Sequence, residues 1–142
     1  MNHDAYDDAY LRTILKEVRS IAVLGASANS ARPSYEVMHY LAEHGYKVFP
    51  INPGQAGKQV AGLTFYGRLA DVPEPIDMVD IFRAPENLPD ILQEVLSLKT
   101  RPKVFWAQLG VRDDAVAAEA EAAGMKVVMD RCPKIEYPRL LG

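Results

Sequence analysis

Apolar runs alternate with amphipathic segments along the chain, and this alternation predicts strands separated by helices. Five runs are too short for helices and rich in branched or aromatic residues, as buried strands are. They are Ile21–Leu24, Lys47–Pro53, Ile76–Phe82, Lys103–Trp106 and Met125–Met129. Strands that alternate with helices form right-handed βαβ units. The sequence therefore predicts an α/β fold with a five-stranded, mostly parallel sheet and helices on both faces.

Apolar residues three and four positions apart mark the helices. Such a stripe at Leu11, Ile14, Leu15 and Val18 predicts a helix before the first strand. Further helices are predicted over 34–44, over about 86–96, and from about 113 to 124. Residues 54–62 are predicted to form an exposed loop, and 63–66 a short edge segment. The sequence does not decide whether the tail 137–141 packs on this domain or on a neighbouring molecule.

Composition narrows the class of protein. The 142 residues are 49% hydrophobic and 25% charged, which suits one globular domain over 1–142. The chain has 16 basic and 19 acidic residues, so its overall charge is not expected to attract nucleic acid or an anionic membrane. An anionic ligand would therefore need a local site. The single cysteine excludes an intramolecular disulfide. With no transmembrane-length run and a polar start, a cytoplasmic protein is expected.

The turn after the first strand has the features of a phosphate site. Gly25 permits a sharp turn and close approach of a ligand. Pro33 suits the first turn of a helix, which Ser30 or Ser34 would cap. The free helix amides attract anions, and Arg32 would add a guanidinium group. A phosphate-bearing ligand is predicted, and the alternative is a plain turn with a surface arginine.

The ends of the next two strands add candidate groups to the same edge. Folds that bind NAD usually carry an acid after the second strand, but this chain has Asn52 and Pro53 there. No acid occurs between Glu43 and Asp71, which disfavours NAD. Asn52 would bond an adenine or ribose, or else form a turn that leaves the strand. Arg83 follows the third strand as a candidate phosphate contact.

Two further segments follow the fourth and fifth strands. Gln108 offers an amide, and Gly110 permits close approach or a left-handed backbone. Cys132 lies between Arg131 and Lys134, which would favour a reactive thiolate. The alternative for this cysteine is a small buried residue before a rigid proline.

The spacing of the acidic and histidine residues gives little evidence for a catalytic or metal site. Asp77 and Asp80 are three residues apart on a strand and therefore face opposite sides, so no shared acid/base site is expected. His39 and His44 are five apart and do not share a helix face as metal ligands would. Trp106 is predicted to be a core residue. No catalytic residue and no metal site is therefore predicted.

Five stretches, which span nearly the whole chain in order, resemble the small single-domain CoA-binding proteins. These proteins resemble the CoA-binding domain of the succinyl-CoA synthetase alpha subunit. The matching stretches are 22–27 with 32–35, 50–53, 77–83, 106–110 and 129–134. The resemblance implies a Rossmann-like, three-layer domain that holds coenzyme A across the carboxyl edge of the sheet. The glycine-rich loop is incomplete, and no phosphohistidine segment or ligase domain is visible, so only the binding role is implied.

The resemblance also implies a set of ligand contacts. The expected cofactor-binding residues are Gly25, Ala26, Ser27, Arg32, Pro33, Ser34, Asn52, Pro53, Ile81, Phe82, Arg83, Gln108, Leu109 and Gly110.

Three functions follow from these observations. The first is non-catalytic binding of coenzyme A or an acyl-CoA. The second is an NADP(H)-binding, oxidoreductase-like domain in which Arg32 or Arg83 holds the 2′-phosphate. The third is a thiol redox sensor or store that forms a mixed disulfide between coenzyme A and Cys132. The acyl group, a protein partner and a homo-oligomeric state are left open.

Overall fold

A five-stranded sheet, parallel throughout, forms the centre of the computed structural model, which covers residues 1–142. Its strands are β1 (Ser20–Leu24), β2 (Lys47–Ile51), β5 (Met78–Ile81), β6 (Val104–Ala107) and β7 (Lys126–Val128). The helices are α1 (Asp8–Glu17), α2 (Pro33–Glu43), α3 (Leu88–Leu96), α4 (Asp114–Ala122) and α5 (Pro133–Leu140). A small hairpin pairs β3 (Gln59–Val60) with β4 (Leu63–Thr64). No helix combines the length and apolarity needed to cross a membrane.

The strand order is β2-β1-β5-β6-β7. From β1 the chain first adds β2 on one side and then returns to add β5 on the other, so the winding direction switches between β1 and β5. Leu24 pairs with Ile51 and with Ile81, so these three strands end level with one another. We call the segments that follow the carboxyl ends of the five strands the carboxyl rim. In sheets of this kind, ligands bind at the rim beside the switch point.

Both faces of the sheet are covered, which explains the continuous apolar runs. Ala22 and Leu24 of β1 join a buried cluster of 21 residues under α3 and α4. Ile21 and Val23 point to the other face and join a cluster of 18 residues under α1 and α2, with α5 packed at its edge. The predicted three-layer Rossmann-like fold is confirmed.

The predicted helices before β1 and over 34–44, 86–96 and 113–124 form at these places, with ends that differ by a few residues. Residues 54–62, predicted as an exposed loop, are mostly exposed but include β3, and the short edge segment predicted over 63–66 is present as β4 with a bridge from Tyr66 to Ile51. The tail forms α5, which packs on α1 and α2 of its own chain. The sequence did not predict this helix because Pro138 lies inside it, whereas Pro133 takes the first helical position, where proline is tolerated.

Two tyrosine hydroxyls cover the open edge of β7. The Tyr10 hydroxyl donates to the Val127 carbonyl oxygen at 2.9 Å and accepts from the Val127 N–H at 3.0 Å. The Tyr6 hydroxyl accepts from the Met129 N–H at 2.7 Å. An edge strand otherwise presents these groups unpaired. The tyrosines therefore satisfy backbone groups that no neighbouring strand reaches.

The substitution Tyr10→Phe is expected to lower the free energy of unfolding by about 2 kcal/mol, because it leaves a buried N–H and carbonyl of Val127 without partners. Urea denaturation measures this loss. Tyr40→Phe is the matched control, since the Tyr40 hydroxyl makes no hydrogen bond and its removal should change stability little. Equal effects of the two substitutions would show that the contacts to Val127 do not stabilise the fold.

Candidate functional site

A cleft of about 340 Å³ opens at the carboxyl rim beside the switch between β1 and β5. The β1–α2 loop, the start of α2 and the ends of β2 and β5 form its walls. Its lining residues are Gly25, Ala26, Ser27, Arg32, Pro33, Ser34, Asn52 and Phe82. All eight are among the residues that the sequence singled out. The fold brings them together because parallel strands end at the same edge.

Gly25 makes the tight turn that closes one side of the cleft. Its φ is +78°, and a Cβ there would collide with the Phe82 carbonyl oxygen and lie 3.0 Å from Cδ of Arg83. The N–H groups of Gly25 and Ala26 both donate to the Ile51 carbonyl oxygen at 3.2 Å. These two amides are therefore occupied by the end of β2. The turn shapes the cleft but does not offer these amides to an anion.

Ser34 and Ser30 do not cap α2. Ser34 is the second residue of the helix and is buried, and its hydroxyl accepts from the Ser27 N–H at 3.1 Å. The N-cap residue is Arg32, whose side chain makes no capping hydrogen bond. The predicted serine cap is wrong, because Ser34 instead ties the β1–α2 loop to the helix.

Several donors of the cleft and of the adjoining β1–α2 loop have no protein acceptor. The backbone N–H groups of Ala28, Ser30 and Ser34 make no hydrogen bond within the protein. The exposed side chains of Arg32 and Arg83 make neither a hydrogen bond nor an ion pair. Together with the positive end of α2, these groups form a locally cationic surface on a chain whose net charge is −3. Such a surface suits an anionic, phosphate-like group.

Asn52 connects the cleft to the loop after β2. Its amide nitrogen donates to the Ala26 carbonyl oxygen at 2.8 Å, and its amide oxygen accepts from the Gly54 N–H at 2.9 Å. Pro53 begins a short 3₁₀ turn and is exposed at the rim. Both polar atoms of Asn52 are engaged in the protein, which supports the interpretation as a turn.

Side chains at the end of β5 and just after it lie partly in the core and partly at the carboxyl rim. Ile81 is fully buried in the cluster under α3 and α4, so its side chain does not reach the cleft. Phe82 points to the opposite face by strand alternation and lines the cleft, and Arg83 lies beside it. The expected contact through the Ile81 side chain is therefore corrected.

The segment after β6 lies outside the cleft. The side chain of Gln108 is only 5% exposed and points inward, whereas Leu109 is 55% exposed. Gly110 has the left-handed backbone that its position suggested, with φ +79°, and its N–H donates to Asp130 at 2.6 Å. Trp106 is fully buried, so it is a core residue as predicted.

The two aspartates of the third strand are in different surroundings, as expected. The Asp77 carboxylate accepts from the Arg19 N–H at 2.8 Å, at the amino end of the sheet. Asp80 is fully buried, and this burial raises its pKa well above the usual value. The sequence did not reveal this burial, since an aspartate in an apolar run gives no signal of how deeply it lies.

The variant Asp80→Asn is expected to remove a pH dependence of stability. Above the ordinary aspartate pKa of about 4, the unfolded chain releases its proton while the folded chain keeps it. The Asp80 contribution to stability therefore falls as pH rises, up to the raised folded pKa. Urea unfolding of both proteins across this range should show the variant gaining relative stability with pH. A constant difference would contradict the raised pKa.

Cys132 is buried, with 7% exposure, and is the N-cap residue of α5. The Arg131 guanidinium lies 5.0 Å from the centre of the Tyr6 ring and donates to the Asp130 carbonyl oxygen. Lys134 forms an ion pair with Glu36 at 3.5 Å. The flanking cations thus have other partners and the thiol is covered. The structure supports the packing alternative over the redox one.

A larger cleft of about 430 Å³ lies between the N-terminal residues and α4. Its arginine, Arg112, is ion-paired with Asp4 at 2.7 Å and with Asp114 at 2.8 Å. The charge of this cation is already compensated, so the cleft is less suited to an anion than the cleft at the rim. No group of three or more His, Cys, Asp and Glu side chains is placed to hold a metal ion.

Comparison with known proteins places the chain in a family. An uncharacterized Bacillus subtilis protein, YneT, is 33% identical over 91% of this chain and 93% of its own. A solved Thermus thermophilus structure, cell-free ID.343, is 40% identical over 96% of this chain and 100% of that chain, with a TM-score of 0.88.

ADP-forming acetate–CoA ligase II of Archaeoglobus fulgidus is 28% identical over 87% of this chain. The match covers only 18% of that ligase. Residues 19–138 match the family model of the CoA binding domain. This chain therefore belongs to the CoA-binding domain family.

Proposed function

We propose that the protein binds coenzyme A or an acyl-CoA at the carboxyl rim without transforming it, and that residues 1–142 act as one binding domain. One observation carries the proposal. In a member of the CoA-binding domain family, the unpaired Arg32 side chain and the unpaired Ser34 N–H line the cleft at the switch point, with unpaired Arg83 beside it and two more unpaired N–H groups in the β1–α2 loop. Coenzyme A carries a diphosphate and a 3′-phosphate, which match this concentration of donors.

The two ends of the ligand would meet different surroundings. Arg32 and the start of α2 suit the phosphates, while Pro53 and Phe82 offer apolar cover for the adenine. The pantetheine arm would extend along the rim toward the turn at Leu109 and Gly110. Binding therefore rests on a few charge-assisted contacts in a largely preformed cleft.

The residues that line the cleft support a role in binding. No histidine and no acid line it. Its two serine hydroxyls already accept backbone hydrogen bonds, Ser27 from the Asn29 N–H and Ser34 from the Ser27 N–H. A serine nucleophile needs an adjacent base. The match covers only 18% of the ligase relative, so it supports a shared binding domain and not a shared activity. The lining of the cleft therefore supports the proposal of binding without a reaction.

NADP(H) is the second candidate. Arg32 and Arg83 would take its 2′-phosphate as readily as a 3′-phosphate, and no acid follows β2 to hold an unphosphorylated ribose. This candidate uses the same cleft, so the ligands must be compared directly.

Calorimetric titration of ligand-free protein with coenzyme A, acetyl-CoA, dephospho-CoA and NADPH tests the proposal. We expect coenzyme A to bind more tightly than dephospho-CoA and NADPH, and incubated acetyl-CoA to remain intact. Tighter binding of NADPH would favour the second candidate. Absence of binding by all four would contradict both, and release of free thiol from acetyl-CoA would contradict the non-catalytic role.

A further inference from the structure

Asp80 is a fully buried carboxyl group in an apolar part of the sheet. It lies in register between Val23 of β1 and Trp106 of β6, both of which belong to the buried cluster under α1 and α2. It forms no ion pair, unlike the other buried acid, Glu136, which pairs with Arg139 at 2.8 Å. Burying such a group is costly, and a leucine would fill similar space without this cost. The carboxyl group therefore calls for a structural or functional reason.

Its one polar partner is the side chain of Gln108. In the orientation that satisfies both side chains, the Gln108 amide nitrogen lies 2.9 and 3.2 Å from the two carboxyl oxygens. Gln108 is itself 95% buried, since only 5% of it is exposed. The pair is therefore a hydrogen bond shielded from water, where its geometry is strongly constrained.

Gln108 is the first residue of the rim segment after β6. Its N–H donates to the Ile81 carbonyl oxygen at 3.2 Å, and its carbonyl oxygen accepts from the Val111 N–H at 2.9 Å. Between these two anchors lie the exposed Leu109 and the left-handed Gly110. The orientation of Gln108 thus sets the path of a turn that faces the ligand side of the sheet.

We propose that Asp80 is a positioning residue for ligand binding: it holds the Gln108 side chain inward and so fixes the turn over Gln108–Gly110 at the carboxyl rim. The inference rests on the proposed function and changes the role of Gln108 from a direct contact to an anchor. An apolar pair would fill the same volume but would have no directional bond to fix the turn.

The experiment compares Asp80→Leu with Asp80→Asn. The leucine variant removes the hydrogen bond and keeps the volume, whereas the asparagine variant keeps an acceptor for the Gln108 amide. We expect Asp80→Leu to remain folded and to bind coenzyme A about tenfold more weakly. Asp80→Asn should bind within about threefold of the original protein. Binding by folded Asp80→Leu equal to that of the original protein would overturn the proposal.

Gln108→Leu provides a second route to the same answer. It should weaken binding as much as Asp80→Leu does, and combining the two should add little, because both remove one bond. If Asp80→Leu fails to fold, Gln108→Leu alone decides, and unchanged binding by it overturns the proposal.

Amide hydrogen exchange separates this proposal from the proposed function. In either leucine variant, the N–H groups of Gly110 and Val111 should exchange faster, while that of Val127 should not. This result is expected even if coenzyme A fails to bind the original protein, a failure that would contradict the proposed function alone. Unchanged exchange at both rim amides would show that Asp80 does not position the turn.

Discussion

Replacement of Gly25 by alanine is expected to lower the free energy of unfolding by about 3 kcal/mol. Two costs add at this position. The backbone has φ +78°, which is unfavourable for a residue with a side chain, and the new Cβ would collide with the backbone carbonyl oxygen of Phe82. A backbone atom cannot move aside as a flexible side chain can, so the turn or the end of β5 must shift. Urea denaturation with an unchanged m-value measures the loss.

Gly124→Ala is the matched control. Gly124 follows α4 with φ +93°, but a Cβ there would have no atom within 4 Å. The control substitution should therefore lower the free energy of unfolding by only about 1 kcal/mol, which is the cost of placing a side chain on a left-handed backbone. If both substitutions cost the same, close packing at Gly25 contributes nothing. Because Gly25 also lines the cleft, the Gly25→Ala variant should bind coenzyme A more weakly wherever it remains folded.

The double substitution Arg32→Ala with Arg83→Ala is expected to weaken coenzyme A binding by about a hundredfold. Each guanidinium group lies at the rim without any other partner, so it can make charge-assisted bonds to a phosphate without breaking an existing contact. Each single substitution should weaken binding about tenfold. Because the arginines are exposed and unpaired, stability should change by less than about 0.5 kcal/mol. Calorimetry and urea denaturation measure the two effects separately.

Arg19→Ala is the control for nonspecific charge. Arg19 is also an exposed arginine without a side-chain partner, but it precedes β1 at the opposite edge of the sheet. Its loss should leave binding nearly unchanged. Rising salt should weaken binding by the original protein more than binding by the double variant. The reason is that only the original protein carries the two arginine charges whose attraction to the phosphates is screened by salt. Equal losses from Arg19→Ala and Arg32→Ala would contradict a phosphate contact at the rim.

Most of the fold follows from local pattern. The stripe at Leu11, Ile14 and Leu15 predicts α1 because one face of that helix is buried. The run Ile21–Leu24 predicts a buried strand because both faces of β1 are covered. By contrast, α5 depends on packing against α1 and α2, and its local sequence, with Pro138 inside the helix, gives no helical pattern. Such tertiary support overrides local propensity.

The candidate site was predictable in its location more than in its contacts. Parallel strands end at one edge, so the residues after each strand must gather there, and the eight lining residues do. The roles of individual groups differ from expectation. Ser34 ties a loop and does not cap α2, and Gln108 points inward to Asp80. These roles depend on contacts between residues distant in sequence, which spacing does not encode.

The sequence by itself determined the alternation of strands and helices, the glycine turn after β1, and the collection of candidate groups at the carboxyl rim. It did so because apolar periodicity and turn chemistry are local properties. Only the tertiary structure decided which donors are free and which are occupied. The amides of Gly25 and Ala26 are taken by Ile51, while Arg32 and Arg83 remain without partners. The physical reason is that a hydrogen-bond donor has limited capacity, and long-range packing determines which acceptor comes within its reach.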